Sequence, residues 1–252
     1  MDQINVRWYV EDVCAHSSPV LIAGLPGVGH VGKLVADHLV RVLSAVKVAE
    51  VTSILFPPQM YLSEDAVLRL PRNELFFAPE SANNPAVLLL AGDCQSTTPD
   101  GHYLLADAYI RIFEQLGVKR IYTLGGYGVG RLVDNPRVLA ALSSSALKDE
   151  VLGAGAILDK DEPVGGIIGL AGLLITLGRL SGMEGIVLLG ETSGYLVDPV
   201  SSTSVLNVLE KLTGIKADRT DLTELASQMM TEVSAIASTI QKNNTDDLNY
   251  IG

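Results

Sequence analysis

Residues 19–33 read PVLIAGLPGVGHVGK, and this stretch decides the fold class. Val20, Leu21, Ile22 and Ala23 form a short apolar run bounded by Pro19 and Gly24, the signature of a fully buried strand. A glycine-dense turn follows. Beyond it Val31, Leu34, Val35, His38, Leu39 and Val42 recur at three- and four-residue spacings, which predicts a helix. Strand, glycine turn and helix open an α/β domain with a parallel sheet. A helix N-terminus presents free N–H groups and a positive dipole, so this turn is the first place to look for a bound phosphate.

Two nucleotide motifs are nearly present. Gly27-Val28-Gly29-His30-Val31-Gly32 spells G-x-G-x-x-G, and Gly27 to Lys33 spells G-x-x-x-x-G-K. A P-loop needs Ser or Thr after the lysine to ligate Mg²⁺, and Leu34 stands there instead. A dinucleotide site wants an acidic residue closing the second strand. Glu50 lies at a suitable distance, but Val51–Phe56 carries the strand onward past it. The competing reading is that these glycines permit close helix–strand packing and left-handed turn geometry.

Composition narrows the function classes. A chain of 252 residues with 48% apolar content is long enough for one substantial core, burying roughly 70–75% of its unfolded surface. Aromatics are only 5%, so base-stacking platforms are not expected. Net charge is −11, from 18 basic and 29 acidic residues, which argues against nucleic acid and anionic membrane as partners. Cys14 and Cys94 show no paired spacing and point to a reducing cytoplasm. Residues 1–12 lack the apolar core of a signal peptide, and the apolar run 167–180 is too short to span a bilayer and reads as a buried helix.

The rest of the chain reads as one domain, 1–240, with a tail at 241–252. An alternating run from Ile4 to Val10 suggests an edge strand, and 45–56 a strand stopped by Pro57-Pro58. Residues 66–70 and 74–78 flank Pro71-Arg72-Asn73 as a hairpin would, which makes the sheet mixed, though mostly parallel. Strands are expected at 86–92, 118–124, 137–143 and 185–189, and helices at 100–116, 145–151 and 199–212. Asp221 with Glu224 marks the start of a closing amphipathic helix, with Leu222, Leu225, Met229, Val233, Ile236 and Ile240 on one stripe.

Open α/β sheets place ligands at the carboxyl ends of their strands. There the candidate ligand-binding set is Gly27, Gly29, Gly32, Lys33, Asp93, Gln95 and Gly126. Cys94 is a candidate nucleophile with His30 or His102 as base, and Asp93 and Glu191 are candidates to pair across the sheet. No complete catalytic motif, metal constellation or cofactor site is legible. The tail differs in kind: polar Asn243–Asp247 leads to Leu248, Tyr250 and Ile251, three apolar side chains before Gly252. They either fold back onto the body or are carried as a ligand for another protein's groove.

Taken in order, GLPGVGHVGKLVADHL, LFPPQMYL, LLLAGDCQ, YTLGGYGVGR, GGIIGLAGLLI and GETSGYLVDP resemble the proteasome assembly chaperone 2 family, over roughly residues 20–199. The resemblance implies a three-layer α/β/α domain of the phosphorylase/hydrolase-like kind and self-association as trimers or larger. It also implies a non-enzymatic role with 20S proteasome α subunits, bound through a C-terminal tail. By that analogy Leu248, Tyr250, Ile251 and Gly252 are the partner-binding residues. Tyr250 is third from the end where the family's docking signal has a penultimate tyrosine. The alternative is a small-molecule binder or hydrolase-like enzyme working at the Gly27–Lys33 turn.

Overall fold

Buried apolar runs of four to six residues, spaced by helical patterns, leave one economical arrangement: strands in the middle and helices on both faces. The computed structural model describes residues 3–10, 13, 18–229 and 231 and has this architecture. Strand β1 (Ile4–Trp8) precedes β2 (Val20–Ala23), helix α1 (Val31–Val42) and β3 (Val46–Ser53). Two short strands, β4 (Tyr61–Leu62) and β5 (Leu68–Arg69), lead to β6 (Asn73–Ala78) and β7 (Val87–Gly92). Helix α2 (Pro99–Gln115), β8 (Arg120–Gly128), β9 (Val138–Leu142) and α3 (Lys148–Ala154) follow. Helix α4 (Leu170–Leu180), β10 (Glu184–Thr192) and α5 (Pro199–Thr213) complete the set.

Eight strands form the main sheet in the order β1-β3-β6-β7-β2-β8-β10-β9. β7, β2, β8 and β10 pair in parallel, and β3 shares their direction; β1, β6 and β9 run against it. The sheet is therefore mixed with five of eight strands in one direction. Side chains alternate faces along each strand. Leu21, Leu88 and Leu90 join α2 and α4 in one core, while Ile22, Val87 and Leu89 join α1, α3 and α5 in the other. Two cores on two faces make the three layers.

Several expected boundaries move. No hairpin joins 66–70 to 74–78: β5 pairs with β4 in a separate ribbon, and β6 inserts antiparallel between β3 and β7. The apolar faces of β6 find more to bury inside the main sheet than against its chain neighbour. β8 runs on to Gly128 and β10 to Thr192, because those residues pair with each other along a nine-residue parallel ladder. The apolar helix is half-buried rather than buried. Leu170, Leu174 and Ile175 face the core, whereas Ile168 before it and Leu180 at its end are exposed.

Helical backbone covers 220–229. Leu222 is buried with α1 and α5, but Leu225 is exposed, so the stripe does not act as one core face there. Val233, Ile236 and Ile240 lie outside the described residues, as does the whole 241–252 tail. No helix among the described residues is long and apolar enough to cross a membrane.

Candidate functional site

The carboxyl ends of β2, β7 and β8 gather the expected ligand-binding residues, and what fills the space between them is protein. Gly29 has φ of +62°, a left-handed conformation that favours glycine. A Cβ there would lie 2.7 Å from Thr192 Oγ1 at the end of β10. Gly32, in the first turn of α1, packs against the backbone of β8. A Cβ on it would lie 2.6 Å from the carbonyl carbon of Leu124. Gly126 presses in the same way on Val28, whose carbonyl carbon would be 3.1 Å from an added Cβ. The glycines let the turn sit directly on the sheet.

Gln95 closes the remaining gap. Its Nε2 donates to the Pro26 carbonyl at 2.8 Å, and its Oε1 accepts from Leu170 N at 3.0 Å. One amide thus ties the glycine turn to the first N–H of α4, a donor with no partner inside its own helix. The cavity beside it, lined by Leu25, Gln95, Thr123 and Leu170 among others, has a volume of about 20 Å³. That is room for one water. Within the turn, Gly29 packs against β10 and Gly32 against β8.

Lys33 does not aim at the turn either. Its Nζ donates to the Gly92 carbonyl at 3.2 Å and pairs with Asp37 at 2.8 Å. Asp93, next along, is held from the other side. Arg69 grips it with two bonds, at 2.5 and 3.0 Å, and the Arg72 N–H adds a third at 3.0 Å. Burial by itself raises the Asp93 pKa. The Arg69 and Arg72 hydrogen bonds and the nearby Arg69 and Lys33 charges overcome that and hold it below the usual carboxylate range.

Glu191 has its own arginine, so the expected Asp93–Glu191 pair does not form. Arg137 Nε donates to Glu191 Oε1 at 2.8 Å and its backbone N–H to Oε2 at 3.0 Å. The Arg137 hydrogen bond is the main reason the Glu191 pKa is lowered. Cys94, the candidate nucleophile, is a buried thiol. Burial, with the Asp93 charge behind it, pushes its thiol up to about 12. His102 turns its ring onto its own helix at Thr98, 2.9 Å away, and His30 is exposed. No imidazole hydrogen-bonds the thiol among the described residues.

Sequence reasoning missed Arg69, Arg137 and Asp198. The last is buried, caps α5 through Ser201 N at 2.9 Å, and donates its own N–H to the Gly29 carbonyl at 2.9 Å. The Asp-Pro pair opening a helix is the signal that marks it. The two arginines give none, because their partners lie 24 and 54 residues away. A larger opening, about 910 Å³, lies between the start of α2, the 160–169 loop and β9. Tyr103, Ile167, Ile168 and Leu173 wall it, with Lys160 and Glu162 also lining it.

The family model of PAC2 matches residues 21–237. The chain belongs to the PAC2 family. A protein of Methanocaldococcus jannaschii is 34% identical over 252 residues, covering 96% of each chain. Pyrococcus furiosus PbaB, described as an archaeal proteasome activator, is 33% identical with a TM-score of 0.85, over 94% of this chain and 100% of PbaB. P. furiosus PbaA, described as an archaeal homologue of proteasome-assembly chaperone, has a TM-score of 0.75 over 98% and 97% of the two chains. At 22% identity it supports the PAC2 fold alone. Leu248, Tyr250, Ile251 and Gly252 lie outside the described residues.

Proposed function

We propose that this PAC2 protein is a proteasome-associated chaperone or adaptor, acting as a homo-oligomer in the cytoplasm and binding 20S α subunits through Leu248, Tyr250, Ile251 and Gly252. The observation that carries the reading is the end-to-end likeness to PbaB, at one-third identity and a TM-score of 0.85. The turn that nearly spells a nucleotide motif is filled by Gln95 and by β8, which leaves protein binding as the better use of the surface. The role needs neither catalysis nor a cofactor.

Native mass spectrometry with recombinant 20S α subunits tests it, comparing the full chain with one ending at Thr245. Complexes that form with the full chain and vanish with the shortened one are the expected result. Complexes of equal abundance with both refute the tail as the contact, and no complex with either refutes the partner.

A further inference from the structure

The β4–β5 ribbon stands off the main sheet, and its register decides what each face carries. Tyr61 pairs with Arg69 and Leu62 with Leu68. The Tyr61–Arg69 face is turned to the body: Arg69 lies over the Tyr61 ring at 4.7 Å and binds the Asp93 carboxylate, while the Tyr61 hydroxyl donates to the Asp93 carbonyl at 3.4 Å. Alternation then forces Leu62 and Leu68 onto the opposite face, away from the protein. They are 67% and 65% exposed. Met60 and Leu70, two residues further along each strand, continue the stripe at 43% and 46%.

We infer that this outward stripe, Met60, Leu62, Leu68 and Leu70, is the contact through which two copies of this chain pair about a two-fold axis. With Val67 beside it the stripe offers apolar area on the order of 500 Å², at the upper end of what a monomer leaves open. A stable interface needs about 800 Å² per partner, so the stripe supplies most of one side. A two-stranded ribbon is marginal by itself, and this one has a body under one face only. Permanent apolar exposure calls for a partner that is always present, and every chain is made alongside copies of itself.

Electrostatics agree. Each copy carries −11, so association must occur where charge is sparse. The stripe has none; Glu64 and Asp65 sit at the ribbon's tip. Pairing about a two-fold axis that runs across the strands sets Leu62 against the copy's Leu62 and Leu68 against its Leu68, and sends the two acidic tips to opposite ends.

The inference rests on the homo-oligomer reading above and not on the tail. Sedimentation velocity of the full chain at micromolar concentration is compared with Leu62→Ser/Leu68→Ser, with circular dichroism as the check on folding. The unaltered chain is expected as an even-numbered species. The double variant is expected to keep its helix and strand signal and to pair about a hundredfold more weakly, each leucine contributing roughly tenfold. Leu62→Ser alone, the milder change, should weaken pairing about tenfold.

An unaltered chain that is monomeric or odd-numbered, or a variant that assembles undiminished, overturns the inference. The same samples are mixed with 20S α subunits. Loss of α-subunit complexes with the oligomer intact also overturns it, giving the ribbon to the proteasome instead. Loss of the oligomer with no α-subunit binding by either chain supports the pairing surface and refutes only the proteasome reading.

Discussion

Gly32→Ala separates packing from ligand binding at the glycine turn, because the two readings give opposite signs. Alanine is the better helix former by about 1 kcal/mol, so if Gly32 existed to let a phosphate approach, the variant would be more stable. In the structure the new Cβ would lie 2.6 Å from the Leu124 carbonyl carbon and 3.2 Å from the Gly125 nitrogen. Carbon–carbon contacts are comfortable near 3.5–4.0 Å, so α1 must retreat from β8 by about 1 Å. Both obstacles are backbone atoms in the middle of the sheet and cannot turn aside.

Retreat loosens Val31, Val35 and Leu39, all fully buried. Overpacking of this kind costs about 1–3 kcal/mol, and the helix gain offsets about 1, leaving a net loss of up to about 2 kcal/mol. Gly153→Ala in α3 is the matched control: nothing lies within 4 Å of its added Cβ, so only the helix gain of up to about 1 kcal/mol applies. Urea denaturation, read as a shift in midpoint at constant slope, measures both. A Gly32→Ala protein more stable than its parent would refute the argument.

Two further outcomes follow from the Asp93 corner. Cys94, its thiol pushed up to about 12, should be alkylated by iodoacetamide at pH 8 at least about a thousandfold more slowly than a free thiol. Peptide mapping of native protein measures this, and alkylation at the rate of a surface cysteine would contradict it. Asp93 has a lowered folded pKa, so its contribution is in full force above the unfolded value near 3.9 and is lost as pH falls through the lower folded one. Asp93→Asn should be less stable than the parent at pH 7, with the gap closing below about pH 4; a gap constant down to pH 2 would contradict the assignment.

What the sequence disclosed depended on how far away the deciding partner lay. The β2–α1 unit was legible because its strand, turn and helix are contiguous and each obeys a local period. Gly125–Gly128 looked like a loop because glycines have no side-chain preference to show. Only β10, about 60 residues on, pairs them into a strand. The 66–78 hairpin failed for the same reason: turn chemistry at Pro71 was real, but β6 had better partners in β3 and β7. The glycine turn, Asp93 and Gln95 lie at neighbouring strand ends, as the order of strand and loop along the chain suggests. Their employment was not legible, since Arg69 and Leu170, which claim Asp93 and Gln95, are distant in sequence.

The central position of β2 has a consequence for how the protein is made. Val20 pairs with Val87 on one side and Arg120 on the other, so the first apolar strand of the sheet is synthesised well before either neighbour. At 5–20 residues per second the ribosome delivers the second neighbour roughly 5–20 seconds later. Through that interval Leu21 and Ile22 have no sheet to enter. Until then both edges of β2 are open to whatever strand comes near.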